Sequence, residues 1–119
     1  MLCATTFLTF GRSALHSVEE LRIMIDKAYT GFGHCGDSTS VAPVVHLEDN
    51  QYMLELFHGP TASFKDLALQ LTPKLFARAA EEADGLTYLI LVATSGDTGS
   101  AALHGFGATA SIVMLVAAS

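Results

Sequence analysis

The sequence predicts an α/β fold built on parallel strands. An apolar run at Tyr88–Ala93 is followed by helix-forming residues over Ser100–Phe106 and a second apolar run at Ile112–Val116. Strand, helix, strand in that order is a βαβ unit, whose crossover lays the two strands side by side in parallel. Composition agrees: half of the 119 residues are apolar and 15% are charged, which suits a buried core and not a disordered chain. Charge placement points the same way, since Asp97 is the only formally charged side chain from Gly85 to Ser119. So uncharged a stretch needs neighbours to cover it, which puts it inside a larger core. A lone carboxylate there is costly to bury without partners.

No pattern assigns residues 1–16. Ser17-Val18-Glu19-Glu20 fits a helix start, with Ser17 as N-cap and Glu20 reaching back in a capping box. Val18, Leu21, Met24, Ile25 and Ala28 recur at helical spacing through about Tyr29, until Gly31, Gly33 and Gly36 break the pattern. Strands are predicted at Val44–Leu47 and Tyr52–Phe57, joined into a hairpin by the turn residues Glu48-Asp49-Asn50. His58-Gly59-Pro60 is a turn, and Ser63 then serves as N-cap of a long helix from Phe64 to about Ala83, with Asp66 at the capping-box position. Its leucines, Leu67, Leu69, Leu71 and Leu75 with Phe76, read as core, while Pro73 kinks the helix or divides it in two. Asp84-Gly85 ends it. Tyr88–Ala93 is apolar enough for a strand buried on both faces. Thr94–Gly99 is a polar turn before the next helix.

The same numbers exclude several functions. Six Lys and Arg against twelve Asp and Glu, a net charge of −6, include no basic cluster for nucleic acid. Cys3 and Cys35 lie far apart without a CxxC pair, so neither a disulfide scaffold nor a metal site is expected, and a reducing setting is. Leu2–Phe10 is short, polar-interrupted and lacks basic residues ahead of it, unlike a signal peptide. Ile112–Ala118 falls far short of the ~20 residues of a membrane-spanning helix. A soluble, cytoplasmic protein is the expectation.

Two polar loops stand out, each at the start of a helix. In His58–Asp66, Lys65 is placed in the first helical turn, where the helix dipole disfavours a cation, with Phe64 and Leu67 beside it. A neutral lysine amine is what Schiff-base chemistry needs. The same placement also fits an exposed lysine, with Asp66 only a cap. In Ala93–Ala101, Gly96 and Gly99 let the backbone approach a ligand, while Thr98, Gly99 and Ser100 offer free N–H groups at a helix N-terminus. That suits a phosphate or carboxylate, although Asp97 or Thr98 capping the helix explains the residues equally well. Among the histidines, His16, His34, His46 and His104 lack ligand spacing and read as surface or satisfied core residues. His58 is set apart by lying on the lysine loop, where it either steadies the turn or lines a site.

The two loops together resemble the threonine synthases. That family carries His-Gly-Pro-Thr-x-x-Phe-Lys-Asp, matched by His58–Asp66, and some thirty residues later Thr-Ser-Gly-Asp-Thr-Gly, matched by Thr94–Gly99. Leu54–Phe57, Leu67–Gln70, the Ser17–Tyr29 helix and Ala42–Val45 also fit, so the resemblance runs from about Ser17 to Phe106. It implies a fold type II architecture like the tryptophan synthase β chain, and pyridoxal 5′-phosphate (PLP) as cofactor. It further implies that Lys65 holds PLP as a Schiff base and then shuttles protons at the substrate α and β carbons. Phe64 would line the cofactor site, Asp97 would sit near the PLP 3′-oxygen, and Ser95, Gly96 and Thr98 would bind the substrate carboxylate. The implied reaction converts O-phospho-L-homoserine and water to L-threonine and phosphate.

By the same resemblance, 17–57 is an N-terminal helix and strand pair, and 58–119 is the start of the PLP-binding domain. Ser63 stands where the family usually has Ala. The family's glycine-rich loop for the PLP phosphate, and the hydroxyl residue facing the pyridine nitrogen, belong further along than residue 119. The family's segment before the first helix is missing or replaced by Met1–Leu15. Gly107–Ser119 is shorter and more Ala-rich than the family pattern, and reads as the next strand or as an altered end. The expectation is therefore an N-terminal fragment, inactive alone. Alternatives are a related PLP lyase acting on another amino acid, or a non-catalytic remnant that self-associates through its apolar C-terminal third.

Overall fold

A computed structural model of the chain describes residues 17–33, 39–82, 86–107, 109 and 112–118. Cys3, Cys35, His16, His34, Gly36 and the helix stop at Asp84-Gly85 lie outside them. The first helix, α1 (Val18–Tyr29), begins as its sequence dictates. Ser17 is extended at the N-cap, and its hydroxyl accepts from the Glu20 N–H at 3.1 Å. Leu21 and Ala28 are its buried positions, continued by Phe32. Strands β1 (Val44–His46) and β2 (Tyr52–Leu54) form the expected antiparallel hairpin, in the register Val44↔Leu54 to His46↔Tyr52. Both are shorter than their apolar runs. Asp49 closes the turn at φ 46°, a left-handed conformation that Asp tolerates better than most residues.

The long helix is divided, as Pro73 requires. Its parts are α2 (Asp66–Leu69) and α3 (Thr72–Glu82), with Pro73 buried at the second position of α3, where a missing N–H costs nothing. Ser63 does not cap the helix as expected. Lys65 holds the N-cap position, and the Ser63 hydroxyl instead accepts from the Lys65 N–H at 3.2 Å, inside a tight turn. The expected leucine core is only half-buried at Leu67, Leu69, Leu71 and Leu75. Arg78 of α3 donates from Nε to Glu20 at 2.5 Å, tying α3 to α1.

The βαβ unit is present. Strand β3 (Tyr88–Thr94) pairs in parallel with β4 (Ile112–Ala118) from Tyr88↔Ile112 to Thr94↔Ala118, and α4 (Asp97–Phe106) crosses between them. Of the two readings of the last residues, the strand is the one observed through Ala118. Phe76 of α3 meets Tyr88 edge-on at 5.2 Å and Phe106 at 6.3 Å, joining α3, β3 and α4. Burial alternates along both strands, which corrects the expectation of a fully buried β3. Helix α4 packs on the two strands, whereas Leu89, Leu91 and Ala93 stand exposed beside Val113, Leu115 and Ala117 on the other face. A period of two is what a sheet covered on one face shows.

Candidate active site

The lysine loop is held by its own backbone and by two acids. Its first residue, His58, sets Nε2 2.7 Å from the Glu55 carboxylate, and its carbonyl accepts from the Gly33 N–H at 2.7 Å. These contacts favour the turn-steadying reading of His58. Ala62 then turns left-handed, at φ 56°, with its N–H on the Gly59 carbonyl at 3.0 Å. Lys65 is half-buried, and its Nζ lies 4.5 Å from the centroid of the exposed Phe64 ring, within cation–π range. It precedes a helix of four residues, too short to develop much of the dipole expected to act on the amine. Among the described residues, Asp66 does not make the expected capping-box bond to the Ser63 N–H. It is fully buried, and its carboxylate accepts from the Thr61 N–H at 2.8 Å and the Thr61 hydroxyl at 2.9 Å.

The second loop differs from expectation in where its helix begins. Helix α4 starts at Asp97, inside the segment read as a turn, and its N-cap is Gly96 at φ 145° and ψ −71°. The capping oxygen comes from Thr94, the last residue of β3, which accepts from the Gly96 N–H at 3.2 Å and the Gly99 N–H at 3.3 Å. The Ser100 N–H goes to the Gly96 carbonyl at 2.9 Å. Gly99 and Ser100 therefore do not offer the free N–H groups expected of them, because the strand end and the first helical turn take both. Ser95, Gly96 and Asp97 are exposed and Thr98 is half-buried, so the Asp97 carboxylate carries no burial cost.

Gln70 connects the two loops, a role the sequence reading missed. Its amide donates to Asp66 at 3.0 Å and to the Ala101 carbonyl of α4 at 3.2 Å. The available signal was its place four residues after Asp66, on the same side of a helix. Among the described residues no hydrogen bond joins Lys65 to Ser95, Gly96, Asp97 or Thr98. What comes together is the C-terminal end of α2 and the middle of α4, through Gln70. His46 and His104 are satisfied, on the Asp49 carbonyl at 2.8 Å and the Gln70 amide at 2.9 Å.

This arrangement sets an amine beside an aromatic ring on one helix start, and a small-residue turn with hydroxyls on the neighbouring one. Known proteins are similar to the chain. The chain is 57% identical over 77 residues to threonine synthase-like 1 of Homo sapiens, covering 65% of this chain and 10% of that protein. It is 41% identical over 98 residues to the threonine synthase of Schizosaccharomyces pombe, covering 75% of this chain and 18% of the relative. The PLP-bound threonine synthase of Brucella melitensis matches it with a TM-score of 0.80 at 34% identity, over 95% of this chain and 23% of that one. Over most of its length the chain is similar to threonine synthases. No family model matches it. The chain spans between about a tenth and a quarter of the length of these three proteins. None of its helices, among the described residues, is long and apolar enough to cross a membrane.

Proposed function

We propose that this chain carries the lysine-bearing part of a PLP-dependent threonine synthase, with Lys65 as the residue that holds the cofactor. The observation that supports this best is the Gln70 bridge, which ties Asp66 of the lysine loop to α4 in a chain similar over nearly all its length to a PLP-bound threonine synthase. The residues present fit the group. The Lys65 amine makes no hydrogen bond or ion pair among the described residues, and the exposed Phe64 ring beside it offers a flat face to a pyridine. Asp97 is exposed at the neighbouring helix start, where it would face the cofactor's 3′-oxygen.

PLP supplies an electron sink for charge developing at the substrate α carbon. In this reading Lys65 anchors the cofactor and, once released, holds and returns the protons at the substrate α and β carbons. Ser95, Gly96 and Thr98 bind and orient the substrate carboxylate, through hydroxyls and a backbone that can approach closely. The substrate is O-phospho-L-homoserine, converted with water to L-threonine and phosphate. The 119 residues alone are expected to release no phosphate from it.

A chimera tests the substrate. When residues 17–106 replace the corresponding segment of the Brucella melitensis threonine synthase, phosphate release from O-phospho-L-homoserine should persist, and Lys65→Ala should abolish it. A chimera that takes up PLP but turns over a different amino acid would establish a related lyase instead. The exposed sheet face supports a second reading, a non-catalytic module that self-associates through its apolar C-terminal third. Self-association without PLP capture would favour it.

A further inference from the structure

Thr61, Asp66, Gln70, Ala101 and His104 form one continuous polar chain from the lysine loop into α4. Every contact to the buried Asp66 carboxylate comes from a donor: the Thr61 N–H, the Thr61 hydroxyl and Gln70 Nε2. The carboxylate oxygens are the acceptors in each of these bonds. The Gln70 amide is 5% exposed and fully used. Both Nε2 protons are committed, to Asp66 and to Ala101, and Oε1 takes the His104 Nδ1 at 2.9 Å. An amide so engaged has one orientation. A buried carboxylate and amide are costly where an apolar pair of similar shape would pack, so their use here needs a reason beyond stability.

We propose that Asp66 and Gln70 are positioning residues for Lys65. Asp66 pins the lysine loop through Thr61, and Gln70 locks that pin to α4, fixing where Lys65 stands relative to the Thr94–Gly99 turn. Among the described residues, neither makes a hydrogen bond or ion pair to the lysine amine. The inference rests on the reading of Lys65 as the cofactor-holding residue, and it adds to that reading what sets the amine's place.

Hydrogen exchange on the 119-residue chain, without cofactor, reads the lock itself. Gln70→Leu should speed exchange of the Thr61 amide by about tenfold, although no hydrogen bond joins Gln70 to Thr61 among the described residues. His104→Ala should do the same more weakly, by freeing the amide to turn, and serves where Gln70→Leu does not fold. Thr61 exchange unchanged in the folded variant overturns the lock.

PLP with borohydride then reads the consequence, as the ratio of adduct on Lys65 to adduct on Lys27 and Lys74. At a temperature where circular dichroism matches wild type, Asp66→Asn and His104→Ala should lower that ratio, Asp66→Asn by about tenfold. A purely structural role would lower melting temperature and leave the ratio unchanged, and that result overturns the positioning role. A wild-type chain with no preference for Lys65 overturns the proposed function itself. Exchange at Thr61 then still decides whether the lock exists.

Discussion

Thr94 shows how much one hydroxyl at a strand end decides. By accepting from Gly96 and Gly99 it starts α4 with only two residues between it and β3, and the backbone turns there through Gly96 at φ 145°. A Cβ at Gly96 would meet nothing within 4 Å, so space is not what the position needs; conformation is. Gly96→Ala should therefore cost about 1–3 kcal/mol of stability, the scale of a residue forced into a sparsely populated backbone region. Denaturant unfolding of both proteins checks it, and equal stabilities would show that the turn relaxes freely. The sequence pointed to the loop but not to its cap. Asp97 and Thr98 stand at ordinary capping positions, and nothing local reveals that the hydroxyl at the end of β3 reaches forward instead. Lys65 was legible as a candidate from its motif. Its position just ahead of a four-residue turn was not, because that depends on Asp66 turning back to Thr61.

The elements were largely legible where one strong local signal governed them. Ser17 capped α1, Pro73 divided the long helix, and the Asp49 turn joined β1 to β2, each for the reason its residue type suggests. What escaped was set by packing. The apolar run in β3 reads the same whether one face is covered or two, and burial alone separates the cases. Helix α4 meets the α2–α3 junction so closely that a Cβ on Gly105 would lie 1.9 Å from the Leu69 carbonyl oxygen. A backbone atom cannot rotate away as a side chain can. Gly105→Ala should therefore destabilise the chain by about 1–3 kcal/mol, pushing α4 off α2 and stretching the Gln70 bridge. Thermal unfolding with exchange at Thr61 reads both effects. An unchanged melting temperature would contradict the close approach.

At the scale of the whole molecule, one face of the β3–β4 sheet is apolar and uncovered among the described residues, with Leu91 67% exposed and Leu115 59%. An apolar face of this kind favours association. The isolated chain should form concentration-dependent oligomers that Leu91→Glu with Leu115→Glu dissolves, as read by sedimentation velocity. Oligomers unaffected by both charges would place the contact elsewhere. The most direct test of the central claim is the site at which PLP, fixed by borohydride, is found in the peptide map. The sequence offers only three lysines, Lys27, Lys65 and Lys74. The reduced adduct is expected on Lys65 ahead of the other two. An adduct spread evenly over all three would contradict it.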